Sequence, residues 1–542
     1  MYACRDQLRN KAREEEANVF AVISFVGFTA MVAVAAYYFT KEEKLDTSDG
    51  YFLGGRSLTG PVICGSLMLT NLSTEHLVGM NGGAYREGAI LMLWETLAAL
   101  AAIVMALYFL PRYLRMGFTT IPEYLNDRYD KTTRSITALL FLMSYVFALL
   151  PVVLYTGSLA LEGLFNVSET LSLSKSASVY VMVWSIGTLG SIYAIFGGLR
   201  AVAISDTING VGLLIGGLLI PFFGLMHIGD GNLVDGFNLL WTEYPEKFVV
   251  LGDAESSIPW QTLFTGMFIA QGYYWIANQA IIQRALGAKN LAEGQKGVLM
   301  TGGVKLLGPI MLVLPGIIAW HIFEGGLENP DTAYPQLVAT VLPPVLTGFF
   351  AAVVMGAVLS TFNSALNSAS TLFSIDIYKG WLRPNASDHD MVRFGKIVGV
   401  VLAVGAMIVA PMMANAPDGL YLLLQALAGV FNVPIFSILM VGLMTRRVPA
   451  LAAKVVIVVE PIIYVLLTFV LKVDIHFLHL MGTMFAGSVL TMLLIGQLFP
   501  RDSDFVARDS NEVDTTPWAL AKPVSLVIAL ISLSFFVIFA GN

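Results

Sequence analysis

Polar and ionisable side chains stand in the middle of apolar runs at only a few places in this chain. Asn71, Glu75 and His76 lie in the stretch Thr70–His76. Glu95 follows Trp94, Gln271 precedes Gly272-Tyr273-Tyr274-Trp275, and Lys305 and Gln425 sit alone in later apolar runs. Charge in hydrocarbon is costly, so such residues read as functional by default. Asn71 and Glu75, four apart, share a helix face, and His76 lies about 100° round. Amides, a carboxylate and an ammonium facing one cavity form a mixed donor–acceptor set suited to a neutral polyhydroxylated solute. A carboxylate solute would instead call for an unpaired arginine or an exposed helix N-terminus. Glu95 and Lys305 could also pair simply to hold two helices together, and pairing is compatible with solute contact.

A second chemistry is written at Ala357-Val358-Leu359-Ser360-Thr361. Adjacent hydroxyls deep in a span, opposite carbonyls freed by a broken helix, supply the neutral oxygens that hold Na⁺. The alternative is that they bond back to their own helix or glue two helices together. Asp206 either joins a cation path or pairs with Arg200. Tyr273 and Tyr274 are gate candidates, and Gly212 and Gly216 mark close helix packing. His321, His476 and His479 fall towards span ends, and Glu460-Pro461 has no functional account. The chain has no phosphate-binding loop, no zinc-type spacing and no nucleophile elbow, so it does not read as an enzyme or an ATP-driven pump.

These residues need membrane helices to position them. The chain of 542 residues is 56% hydrophobic and 13% charged, against roughly 25% charged in a soluble domain. A span takes about 20 apolar residues, and fourteen such runs can be marked: 19–40, 61–80, 88–111, 134–165, 177–198, 200–228, 259–282, 296–323, 336–377, 393–413, 418–443, 448–470, 475–499 and 520–540. The runs 134–165 and 336–377 are long enough to be tilted, bent or extended by a surface helix. Residues 1–18 alternate base and acid and read as a solvated tail; 19–40 is an accessory helix, and 448–540 holds three more. Between them lie two five-span blocks, 61–228 and 259–443, each opening on one of the polar breaks Thr70–His76 and Gln271–Trp275. An odd number of spans inserts the second block upside down, the inverted repeat of many secondary transporters.

Bases gather in alternate loops, at Lys41, Lys44 and Arg56, at Arg112 to Arg134, at Arg284 to Lys296, at Lys379 to Lys396, and at Arg446 and Arg447. By the positive-inside rule both termini then face outward from a cell membrane, expected to be a bacterial inner membrane. The two cysteines, Cys4 and Cys64, exclude a disulfide framework.

Several stretches together resemble the sodium:solute symporter family, in its sodium/sugar (galactose/glucose) cotransporter branch. They are Tyr51-Phe52-Leu53-Gly54-Gly55-Arg56-Ser57-Leu58, Asn71-Leu72-Ser73-Thr74-Glu75, and Gly197-Gly198-Leu199-Arg200-Ala201-Val202 with Asp206. Tyr273-Tyr274-Trp275, Asn278-Gln279, Gln283-Arg284 and Asn367–Lys379 continue the series, so that the likeness runs from about 50 to 445. The resemblance implies an all-α, LeuT-like five-plus-five inverted repeat with fourteen transmembrane helices, and Na⁺-coupled sugar uptake. It places Asn71, Glu95, Lys305 and Gln425 on the sugar, Tyr274 as inner gate, and Met80, Trp94 and Tyr421 in an outer hydrophobic gate. For Na⁺ it implies the carbonyls of Leu69, Leu72 and Ala357 and the hydroxyls of Ser360 and Thr361. His76 stands where the galactose-transporter pattern has a sugar-binding glutamine, Gln271 where it has an asparagine, and Ala98 where it has a serine.

The expected activity is therefore Na⁺-driven symport of a neutral sugar by alternating access. The alternatives are H⁺ coupling through His76, Glu75 or Asp206, or another small polar solute such as a polyol or carboxylate. Na⁺ is the only expected cofactor; no organic cofactor, nucleic acid or protein partner is expected.

Overall fold

The computed structural model describes residues 23–41, 47–165, 167–415 and 420–540; the expected tail 1–18 lies outside them. Within them the chain is all helix, apart from two isolated bridges, Leu58 with Ala288 and Gly252 with Pro259. Ten helices are long and apolar enough to cross a membrane, and eleven if Leu291–Lys305 and Pro309–Ile322, bent by 44°, form one span. The protein is thus an all-helical, multi-pass membrane protein.

The count falls short of fourteen mainly where helices are interrupted. The first block opens on Gly60–Asn71, of 12 residues, which ends as Leu72 leaves the helical region at φ −82°, ψ 77°. Three residues later Glu75–Met80 winds as a wide helical turn and passes into Asn81–Glu87. Gly88, at φ 70°, then turns the chain into the next apolar run, a conformation that favours glycine. The second block opens on Gly266–Gly272 and a wide turn at Tyr273–Ala277. Its break is not at Gln271–Trp275 as expected but at Asn278, which is extended at φ −65°, ψ 118°. Asn278 accepts from the Ala280 amide and so caps Gln279–Leu286, the short polar side chain replacing a backbone partner.

Two further runs keep their expected outline. The runs 177–198 and 200–228 are two helices that meet at a kink at Gly198 (φ 63°, ψ −178°) within Lys175–Ile228, and Gly198–Ile228 is long and apolar enough to be a span of its own. The long run 336–377 is divided at Leu342-Pro343 into Ala333–Val341 and Pro344–Leu372, because Pro343 has no amide to continue the first helix. Gly212 and Gly216 do pack closely: a methyl on Gly212 would lie 3.0 Å from Phe28 and Val353, and one on Gly216 3.1 Å from Phe350. The helices Pro344–Leu372 and Lys175–Ile228 thereby press together beside the first break.

Candidate functional site

The solute cavity is assembled from both interrupted helices. Asn71, His76, Trp94, Glu95, Ala98, Gln271, Tyr274, Lys305, Tyr421 and Gln425 line one pocket. All the sequence-predicted solute residues therefore meet. Lys305 Nζ lies 2.9 and 2.8 Å from the two Glu95 carboxylate oxygens, with both side chains almost fully buried. The pair cancels its own charge, leaving a neutral polar pocket. Leaving either partner alone in such a site costs about 3–5 kcal/mol. Gln271 donates to the Trp94 carbonyl at 2.9 Å. Asn71 Oδ1, His76 Nδ1 and Trp94 Nε1 are buried without a hydrogen-bond partner, so they retain capacity for a solute.

One side of the pocket is closed by rings. Trp94 and Tyr421 meet edge to face with centroids 5.5 Å apart, and His76 meets Tyr421 at 5.3 Å. Met80, the remaining residue of the expected outer gate, is fully buried and does not line the pocket. Tyr274 borders this pocket and a second one, lined among others by Thr70, Ser144, Tyr145, Thr361 and Ala365. Tyr273 also lines the second pocket, and its ring stacks on Phe141 with centroids 6.3 Å apart.

Of the predicted cation ligands, Thr361 and Leu69 meet directly. Thr361 Oγ1 donates to the carbonyls of Thr70 (3.1 Å) and Leu69 (3.4 Å), which the end of Gly60–Asn71 leaves free. Ser360 Oγ is buried without a satisfied geometry, and Ala357 is fully buried on the same helix. Carbonyl and hydroxyl oxygens at a helix break form a donor set that fits Na⁺. Leu72 marks the break itself, and its own amide bonds to the Met68 carbonyl at 2.7 Å.

Asp206, read as either joining a cation path or pairing with Arg200, has Ser66 and Arg284 beside it. Ser66 Oγ donates to it at 2.6 Å, and Arg284 lies 3.7 Å away. Arg284 Nε also donates to Ser66 Oγ at 2.7 Å, and its remaining nitrogens reach Ala280 O and Ser364 Oγ. In the sequence Arg284 stands out only as part of a motif and as a loop base, with no partner assigned. Sequence reasoning also missed Ser73, whose hydroxyl donates to Glu75, and Asn432, which lines both pockets. The spacing of seven from Gln425 to Asn432, two turns of one helix face, was the available signal.

With this geometry in place, the match to known proteins is decisive. The Sodium:solute symporter family matches residues 51–455. The chain belongs to that family. It is 46% identical over 511 residues, 94% of this chain and 89% of the other, to the "Uncharacterized symporter YidK" of Escherichia coli. It is 30% identical over 451 residues (79% and 81%) to the sodium/glucose cotransporter of Vibrio parahaemolyticus. It is 29% identical over 469 residues (77% and 64%) to the bovine sodium/myo-inositol cotransporter. Among solved structures, a Na⁺-coupled sialic acid symporter superposes with TM-score 0.76 at 20% identity, over 89% of this chain and 99% of that one. The nucleobase-cation symporter Mhp1 superposes at 0.51, and the fold is LeuT-like. The protein is thus a Na⁺-coupled solute symporter and not an enzyme.

Proposed function

We propose that this symporter carries a neutral polyhydroxylated solute inward with Na⁺, a sugar of the galactose/glucose kind or a polyol. The observation that carries this is the Glu95–Lys305 pair: the ammonium in the pocket is matched at 2.8 Å, leaving no free cation for a carboxylate solute. The orphaned Asn71, His76 and Trp94 atoms and the Gln425 amide supply hydrogen bonds to hydroxyls instead. The sodium/glucose and sodium/myo-inositol cotransporters among its relatives favour the same class.

In this reading Leu69, Leu72, Ala357, Ser360 and Thr361 hold Na⁺, and Asp206 with Arg284 flanks its path. Tyr274 gates the inner side while Trp94 and Tyr421 close the outer. The blocks 61–228 and 259–443 rock as inverted repeats within fourteen spans of a bacterial inner membrane, both termini outside. One Na⁺ moving down 100 mV supplies ~2.3 kcal/mol, and a tenfold gradient adds ~1.4. Together they support roughly a few-hundred-fold accumulation of an uncharged solute.

The test is a thermal-shift screen of the purified protein with and without Na⁺. Stabilisation by neutral hexoses or polyols only in Na⁺ is the expected result. Stabilisation solely by carboxylates such as sialic acid or proline would overturn the proposal.

A further inference from the structure

The two pockets that meet at Tyr274 share three polar side chains besides it: His76, Gln425 and Asn432. His76 stands edge-on to Tyr421, with its Nδ1 3.5 Å from the Glu75 carboxylate but outside hydrogen-bond geometry. Asn432 is a neutral amide that lines both pockets, and its side chain is largely buried between them. Asn432 and Gln425 lie seven residues apart on Leu420–Met444. That spacing brings them within roughly 20° of one face and about 10 Å apart along the axis. Two amides thus stand in line along the direction that leads past Tyr274.

We propose that Asn432 is a solute-binding residue of the inner pocket, taking over the solute's hydroxyls as Gln425 releases them. This rests on the reading of the solute as a neutral polyol or sugar. An amide suits that role because its two donors and one carbonyl match hydroxyls in any orientation and bring no charge that would trap the solute. Beyond Tyr274 one part of the passage is walled by Ala148, Leu149, Ala365 and Leu424, while Ser144, Tyr145, Asn278 and Thr361 stand elsewhere around it. Without the Asn432 amide the solute's hydroxyls lose a partner as they leave Gln425, which raises the barrier to release rather than weakening the first binding step.

The test uses the whole protein in proteoliposomes with D-glucose, D-galactose and myo-inositol as probes. Asn432→Ala is expected to change equilibrium Na⁺-dependent binding by no more than about threefold. It should cut turnover by about tenfold and raise the half-saturation for efflux, measured from the inner side, by a similar factor. Gln425→Ala should do the reverse, weakening binding about tenfold. If Asn432→Ala does not fold, Asn432→Ser keeps a small polar group and should show the same split to a lesser degree. Turnover and inner-side half-saturation equal to wild type, or a loss of binding matching Gln425→Ala, would overturn the assignment. If none of the probes binds wild-type protein in Na⁺, the neutral-solute reading falls and this proposal with it. If wild type and Gln425→Ala behave as expected and Asn432→Ala matches wild type, only the Asn432 proposal falls.

Discussion

The solute pocket is closed on its two sides by different materials. On the side proposed as outer, Trp94, Tyr421 and His76 touch ring to ring, and Met80 is buried in the apolar core. Towards the face assigned to the cytoplasm, the helix Gln279–Leu286 is fastened by directed hydrogen bonds. Gln279 bonds the Ile121 amide and the Thr119 carbonyl, each at 3.1 Å. Gln283 donates to Phe52 O (2.6 Å), Thr371 Oγ1 (3.0 Å) and Asn367 Oδ1 (3.2 Å), and accepts from Ser368 (2.9 Å). Arg284 ties Ser66, Ser364 and Asp206 together. Each ring contact is worth only about 0.5–1.5 kcal/mol beyond its buried area, so rings part at little cost, whereas buried polar groups must find new partners before they separate. The difference teaches that, in the proposed reading, the ring-closed side parts at low cost while the hydrogen-bonded side must exchange its bonds, with water taking them over.

The largest effect should follow from cutting the inner seal at its charge. Arg284→Met leaves Asp206 buried without its guanidinium and should cost about 3–5 kcal/mol. The reading is a lower melting temperature in detergent, partly restored by adding Asp206→Asn; an unchanged melt would remove the seal's charged core. Next in size, Gln283→Leu abandons several buried partners, for about 1–3 kcal/mol. It should also speed thiol labelling of Ala365→Cys from the inner side, and labelling at the wild-type rate would show that these bonds do not hold the seal.

On the ring side the effects are smaller. Tyr421→Leu should keep the fold and forfeit about 0.5–1.5 kcal/mol of ring contact, seen as a few-fold weaker solute binding. A loss as large as that of Arg284→Met would erase the contrast between the two closures. A separate test, read as a slope against pH, concerns Lys247 on the short turn Pro245–Phe248. Its ammonium donates to the Tyr85 carbonyl at 3.1 Å and sits 3.6 Å above the Trp320 ring. Burial pulls it down to about 8, against the opposing pull of Glu246 and Glu87. The folded protein therefore binds fewer protons than the unfolded chain between about 8 and 10.5. Stability contributed there rises with pH across that window and is lost as pH falls through it. Lys247→Met should flatten this rise in melting temperature, and an equal slope in both proteins would contradict the clamp.

Much of this was legible before any fold was seen. Polar residues inside apolar runs have few roles, so Asn71, Glu95, Lys305 and Gln425 announced a shared pocket, and they share one. The first break was placed correctly because Asn71-Leu72-Ser73-Thr74 carries the polarity itself. The second was misplaced because Tyr273–Ala277 continues as a wide helical turn, a backbone change with no side-chain signature, and only Asn278 departs. Arg284 was hidden for another reason. It stands at a span's end beside a basic loop, where a base is ordinary, and only tertiary packing brings Asp206 to it from a distant helix. The run from Phe499 to Leu520 has no periodicity to read. In the fold it lies extended, with the Arg501 and Phe505 amides on the carbonyls of Arg447 and Arg446 and the Ser510 amide on that of Arg115.

The central claim is that a neutral solute moves together with Na⁺ through the pocket beside Ser360 and Thr361. Charge movement in proteoliposomes on a solid-supported membrane tests it most directly, because an uncharged sugar carries no current of its own. D-glucose, D-galactose or myo-inositol added with Na⁺ should give an inward current for at least one of the three. That current should vanish without Na⁺ and be abolished in both Ser360→Ala and Thr361→Ala. A current that follows pH and ignores Na⁺, or one elicited only by carboxylates, would contradict the account.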